Sequence, residues 1–81
     1  MSELPRVSGR ECIRRLLRAG FVVKRQQGSH VVLRRDAPFA QLVVPDHPEL
    51  DRGTLRAILH QAGLGVEEFI ALIPPARRAV A

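Results

Sequence analysis

Apolar residues in the first part of the chain follow the spacing of a helix. They fall three and four positions apart, which places them on one helical face, at Ile13, Leu16 and Leu17. Ser8 and Glu11 precede them with the spacing of a capping box, and Gly20 follows as a left-handed cap. The pattern predicts a first helix that begins after Ser8 and ends at Gly20. Cys12 borders its apolar face and is interpreted as a small core residue, not as a nucleophile.

Three runs rich in β-branched residues follow, at positions 21–25, 30–35 and 40–44. Gln27-Gly28-Ser29 gives a turn signal between the first two runs, and Asp36-Ala37-Pro38 gives one between the second and third. Pro45 ends the third run, because proline has no N–H to donate to a neighbouring strand. The short connections predict an antiparallel meander of three strands.

The last third of the chain returns to helical spacing. Asp51 is the expected N-cap of a second helix that ends at Gly63, and its apolar face is formed by Leu55, Ile58, Leu59 and Ala62. A short last helix is expected over 66–73. The predicted fold class is α+β, in the order α-β-β-β-α-α, with the helices on one face of the sheet and the other face open. We expect one domain over residues 1–73, followed by a mobile tail over 74–81.

Strand alternation predicts which side chains share the open face. In the second hairpin, pairing Leu33 with Leu42 and Val31 with Val44 brings apolar residues together, so these pairs face the helices. The residues between them face the opposite way, and this group includes His30, Val32, Arg34, Gln41, Val43 and Pro45.

The register of the first hairpin determines where Lys24 lies. A three-residue connection pairs Gln26 with His30 and directs Phe21 and Val23 into the core. Lys24 then lies on the open face, diagonal to His30 and roughly 7–8 Å from it.

The two hairpins together predict a polar cluster on the open face. An imidazole, an ammonium and a guanidinium meet there, from His30, Lys24 and Arg34. His47 comes two residues after Pro45 and is expected near His30, in an orientation that the pattern does not determine.

Charge is concentrated in one half of the 81-residue chain, whose net charge is +5. Residues 1–36 hold nine basic and three acidic residues, a net +6, whereas residues 37–81 have a net −1. A basic half predicts a polyanionic partner, and a solvated surface without a partner is the alternative. The absence of Trp and Tyr argues against stacking of single-stranded bases. One cysteine excludes a disulfide framework and a Cys-rich zinc site. No apolar run approaches the roughly 20 residues of a membrane span, and we expect a cytoplasmic protein.

These residue types suit the cleavage of RNA. The 2′-hydroxyl is an internal nucleophile, so a base near neutral pKa and cations around the phosphate are sufficient. Histidine supplies such a base, and no acid-rich metal site is present, so neither a metal nor another cofactor is expected. Each candidate has a plainer interpretation: His30 as a surface turn residue, His47 as a loop residue and His60 as an exposed helix residue. Phe39 is either a binding anchor or a side chain folded onto the core.

The order of short motifs in this chain resembles the HicA family of bacterial toxins, the mRNA interferase half of HicA–HicB type II toxin–antitoxin pairs. The similar motifs are Gly20-Phe21, Gly28-Ser29-His30, Val44-Pro45-Asp46-His47 and the stretches 53–59, 61–64 and 67–69. The resemblance spans about 7–73. Gly65 departs from expectation, because a Ser, Thr or Asp cap would start the last helix better. The basic tail with Arg77 and Arg78 lies outside the pattern.

The resemblance implies a fold similar to the double-stranded-RNA-binding domain and an endoribonuclease that cleaves mRNA and inhibits translation. It also implies a HicB-like antitoxin that masks the toxin. The family's catalytic histidine lies in Gly-Ser-His and carries over to His30, with Gly28 and Ser29 shaping the site. Lys24 and Arg34 come from strand alternation and not from the resemblance. A non-catalytic RNA-binding module is the alternative function.

Overall fold

The computed structural model describes residues 4–72 and contains three helices and three strands in these residues. The elements are α1 Gly9–Arg18, β1 Val22–Gln27, β2 His30–Asp36, β3 Phe39–Pro45, α2 Arg52–Ala62 and α3 Val66–Ala71. The predicted α+β class and the order of elements are confirmed. The last helix is shorter than the predicted 66–73, because it ends at Ala71 and Leu72 is its non-helical C-cap. Residue 73 and the expected tail over 74–81 lie outside the described residues.

The three strands form an antiparallel sheet in the order β1-β2-β3. The second hairpin has the predicted register, with Leu33 opposite Leu42 and Val31 opposite Val44. These residues are buried and form the core together with the apolar faces of the helices, at Cys12, Leu16, Leu55, Ile58, Leu59 and Phe69. Among residues 4–72, no helix is long and apolar enough to cross a membrane.

Side-chain caps start the two longer helices where the sequence predicts them. Ser8 accepts the Glu11 N–H at 3.0 Å, and Asp51 accepts the Thr54 N–H at 3.3 Å and its hydroxyl at 2.7 Å. The last helix lacks a capping side chain at Gly65, as expected.

Glycines follow the first two helices, and a side-chain contact with the backbone starts the third. Gly20 and Gly63 have φ angles of 98° and 73°, a region that residues with a side chain rarely adopt. At the start of α3, the carboxylate of Glu68 accepts the Gly65 N–H at 2.7 Å, which partly replaces the missing cap.

The first hairpin differs from its predicted register. Gln27, not Gln26, pairs with His30, and a β-bulge lies between Val23 and Arg25. Lys24 is the extra residue of this bulge, which the sequence pattern did not reveal. Val23 does pair with Leu33, but its side chain is 46% exposed, so the prediction that it belongs to the core is wrong.

The apolar face of α1 is narrower than predicted. Leu16 is fully buried and Ile13 packs against the core, whereas the side chain of Leu17 is 44% exposed. Leu17 is the next residue after the buried Leu16, and it lies on a side of α1 that no longer faces the sheet.

Two arginines use their guanidinium groups to join helices to the rest of the core. Arg35 donates to the carbonyl of Ala62 at the end of α2 (3.0 Å) and lies over the ring of Phe21. Arg15 donates to the carbonyl of Phe69 in α3 (3.2 Å) and also stacks on its ring. Part of the basic half is therefore structural, which the charge count alone did not show.

Candidate functional site

His30 is the first residue of β2 and follows the two-residue turn Gly28-Ser29. His30 pairs with Gln27 of β1 on one side and with Pro45 of β3 on the other, and it is exposed on the open face of the sheet. Within residues 4–72 its side chain makes no hydrogen bond or ion pair, so both ring nitrogens are available to a ligand. Gly28 has a φ of 59°, which allows the tight turn that brings the chain to His30.

The turn before His30 is held on both sides. The Gln26 side-chain amide donates to the carbonyl of Gly28 at 3.1 Å. From the other side, the backbone N–H of Asp46 donates to the carbonyl of Ser29 at 2.6 Å. The backbone immediately ahead of the imidazole is thus fixed, although the surrounding residues are exposed.

Asp46 occupies a tight turn immediately after β3. The N–H of His47 donates to the carbonyl of Pro45 at 2.9 Å, a three-residue turn with Asp46 at its centre. The first residue of α1 packs against this turn, since the N–H of Gly9 donates to the carbonyl of His47 at 2.9 Å. A methyl group at Gly9 would overlap the Pro45 carbonyl oxygen, so only glycine permits this approach.

A cleft of about 340 Å³ lies where α1 meets this turn, lined by Ser8, Arg10, Asp46, His47 and Pro48. Arg10 and Asp46 form an ion pair of 3.6 Å across it. His47 is exposed and lines the cleft, while its N–H donates to Pro45 within the turn and its carbonyl accepts from Gly9 of α1. The turn that holds Ser29 therefore places His47 at the same end of the sheet as His30.

The cations of the open face are not arranged as predicted. Because of the bulge, Arg25 takes the position opposite Val32 that the predicted register gave to Lys24. Arg25 was missed by sequence reasoning, and the irregularity at Lys24 was the information needed to find it. Arg34 is on the predicted face but is half-buried and pairs with Asp36 at 3.1 Å. The predicted diagonal contact between Lys24 and His30 depended on the wrong register.

The open face also carries exposed apolar side chains. Val22 and Val43 are exposed by 52% and 43%, and both lie at open-face positions of the register. Phe39, opposite Asp36, is 68% exposed and does not fold onto the core. An open sheet face with cations around apolar patches can contact a polyanion or a protein.

The other candidate side chains lie away from this face. His60 is exposed on α2, as expected. Cys12 is fully buried, and burial raises the pKa of its thiol from 9.0 to about 12, so it is protonated and unreactive at neutral pH. Among residues 4–72, no group of three or more His, Cys, Asp and Glu side chains is arranged to hold a metal ion.

Comparison with known families gives one match, which covers most of the chain. The family model described as HicA toxin of bacterial toxin–antitoxin matches residues 9–64, a segment that extends from the first residue of α1 to just beyond α2. A search of curated proteins found no match.

Proposed function

This chain belongs to the HicA family of bacterial toxin–antitoxin toxins, and from this premise we propose that it is an endoribonuclease that cleaves mRNA and so inhibits translation. His30 acts as the general acid or base, and the reaction needs no metal ion. The observation that carries the proposal is the exposed imidazole of His30 on a turn whose backbone is held from two sides.

The proposed reaction is an internal transesterification of RNA. A neutral imidazole of His30 takes the proton of the 2′-hydroxyl, and the 2′-oxygen then attacks the adjacent phosphorus. The bond from phosphorus to the 5′-oxygen breaks, and this oxygen takes a proton from a water molecule as it leaves. The hydroxide that remains is neutralised by the proton that His30 had taken. The products are a 2′,3′-cyclic phosphate and a 5′-hydroxyl, whose identity can be read directly from the fragment ends.

Cations near His30 would stabilise the charge that develops on the phosphate oxygens. Arg25 and Lys24 are exposed and make no ion pair within the described residues, so both can meet a phosphate without losing a partner. Arg34 contributes less, because its guanidinium is already paired with Asp36. Gly28 and Ser29 support the site by shaping the turn ahead of His30.

A toxin of this family implies a HicB-type antitoxin. We place the contact on the open face, because Val22, Phe39 and Val43 are exposed there among cations. A partner with an apolar centre and acidic edges would fit this surface and cover His30. Both the mRNA substrate and such an antitoxin place the protein in the cytoplasm.

The test is cleavage of labelled mRNA by the purified protein in EDTA. Wild type should cut and leave 2′,3′-cyclic phosphates, and H30A should lose roughly 10²- to 10⁴-fold in rate while remaining folded. H60A is the matched control, because His60 is an exposed histidine on the helical side. Retarded but intact RNA with wild type would favour the non-catalytic RNA-binding module, and wild-type rates for folded H30A would remove His30 from the reaction.

A further inference from the structure

The position of the His30 imidazole depends on the backbone around it. The side chain is exposed and has no partner within residues 4–72, so no contact to the ring orients it. Ahead of His30 the chain makes only the Gly28-Ser29 turn, whose residues are also exposed. His30 itself pairs with Gln27 and Pro45, and Ser29 sets the direction from which the chain enters His30.

Asp46 makes the contact that extends the pairing of β2 and β3 beyond the last pair of the ladder. That last pair is His30 with Pro45, and the Asp46 N–H donates to Ser29 one step further along. At 2.6 Å this is the shortest of the backbone hydrogen bonds outside the regular elements of the described chain. It ties the residue before His30 directly to the turn after β3.

Asp46 is itself fixed by the start of α1. The three-residue turn from Pro45 to His47 encloses it, and Gly9 holds that turn through its N–H and through close backbone packing. The Arg10 guanidinium is 3.6 Å from the Asp46 carboxylate, whose side chain is only 26% exposed. A continuous path thus runs from α1 through Asp46 to Ser29.

We infer that Asp46 is a positioning residue for the proposed reaction: its backbone N–H, held in place by α1, sets Ser29 and thereby aims the imidazole of His30. The inference rests on the proposed function. Asp46 does not touch the substrate in this role, and its carboxylate contributes only by pairing with Arg10. A small displacement of a reacting group lowers the rate while leaving substrate binding intact.

Two substitutions at one position separate the backbone N–H from the carboxylate. D46A keeps the N–H and loses the pair with Arg10, so we expect kcat within about fivefold of wild type, since the Arg10 side chain is 72% exposed and an ion pair with such a partner contributes little. D46P removes the N–H and places a ring carbon against the Ser29 carbonyl. We expect kcat to fall on the order of 10²-fold in D46P, with KM within about threefold of wild type.

A second pair of variants disturbs the same turn from α1, in case D46P folds poorly. In G9A the new methyl group overlaps the Pro45 carbonyl oxygen, whereas in G53A it meets only a side-chain oxygen of Asp51 at 3.4 Å. Both glycines lie in the first turn of a helix, so the two variants change helix propensity alike. We expect G9A, but not G53A, to lower kcat with little change in KM.

The closing experiment is a double-mutant cycle between position 46 and His30, with kcat, KM, RNA affinity and melting temperature measured for each protein. If Asp46 acts through His30, D46P causes no further loss in the H30A background. If H30A is inactive but D46P matches D46A, the inference is overturned and the proposed function stands. An increase in KM alone would make the turn an RNA contact and also overturn it. Wild-type rates for folded H30A would overturn both.

Discussion

The guanidinium of Arg35 lies over the ring of Phe21, with its central carbon 4.6 Å from the ring centroid. The same group donates to the carbonyls of Pro38 and Ala62, at 2.9 Å and 3.0 Å. Arg35 therefore joins the β2–β3 turn, the end of α2 and the entry to β1. A cation used in this way is a poor candidate for binding RNA.

We predict that R35Q lowers the free energy of unfolding by about 1–3 kcal/mol, because it loses the ring contact and hydrogen bonds to backbone carbonyls. Chemical denaturation measures this loss. R18Q is the control of equal charge change, because Arg18 is exposed on α1 and its replacement should alter stability by less than about 0.5 kcal/mol. Unchanged stability with weakened RNA binding in R35Q would instead assign Arg35 to the binding surface.

We predict that H47Q cleaves RNA within a few-fold of wild type. The structure uses the backbone of His47 in the turn, and glutamine retains both of those hydrogen bonds. Initial rates under single-turnover conditions measure the effect, with H60Q as the histidine control. A loss as large as that of H30A would mean that two histidines act as acid and base, and the interpretation of His47 as a loop residue would be wrong.

Charge reversal at the exposed cations of β1 and at Arg34 should weaken RNA and antitoxin binding together, because both partners are expected to meet the same cations. The variants are K24E, R25E and R34E, and the smallest effect is expected for R34E, where Asp36 already neutralises the charge. Binding assays over a range of salt should show slower association with the antitoxin as salt rises. R56E, on the exposed side of α2, is the control for antitoxin binding. RNA binding lost with antitoxin affinity intact would contradict a shared surface.

Because of Cys12, we predict that the free energy of unfolding falls as pH rises through the alkaline range. Its folded pKa of about 12 lies above the ordinary 9.0, so the unfolded chain releases the thiol proton first as pH rises. The stability from the buried neutral thiol is fully present below pH 9 and is lost as pH rises towards 12. C12A lacks this titration. The free energy of unfolding of wild type should therefore fall relative to that of C12A, by on the order of 2 kcal/mol between pH 8 and pH 11. A stability difference between wild type and C12A that stays the same from pH 8 to pH 11, measured by chemical denaturation, would contradict this.

The second hairpin was predictable because its sequence allows one register only. Its short connection pairs Leu33 with Leu42 and Val31 with Val44, burial alternates along both β2 and β3, and a shift by one residue would expose Leu33 and Leu42. β1 gives a weaker signal, because its apolar residues are confined to Val22 and Val23 at its start and the rest of the strand is polar on both faces. The polar residues from Lys24 to Gln27 do not fix a register by burial, so the bulge at Lys24 could not be found from the pattern.

The candidate site was predictable in part for a similar reason. His30 follows a glycine turn and starts a strand whose pairing with β3 could be derived, so its place on the open face could be derived too. The hydrogen bonds from Gly9 to His47 and from Asp46 to Ser29 join residues far apart in the chain. They use backbone groups, so the pattern of side chains does not reveal them. The sequence did not determine whether Phe39 is exposed or folded onto the core, because a residue in a turn can do either. Its exposure depends on how the elements pack in three dimensions.

The bulge at Lys24 also has a consequence for how this chain meets copies of itself. β1 is an edge strand, and the unpaired N–H and C=O groups of such a strand can template the addition of another chain in a growing aggregate. The extra residue breaks the even spacing of those groups, and it places Lys24 and Arg25 beside the exposed Val22 and Val23. A second strand can therefore pair only with short pieces on either side of the break. Deleting Lys24 would make the edge continuous and the protein prone to fibrous self-association.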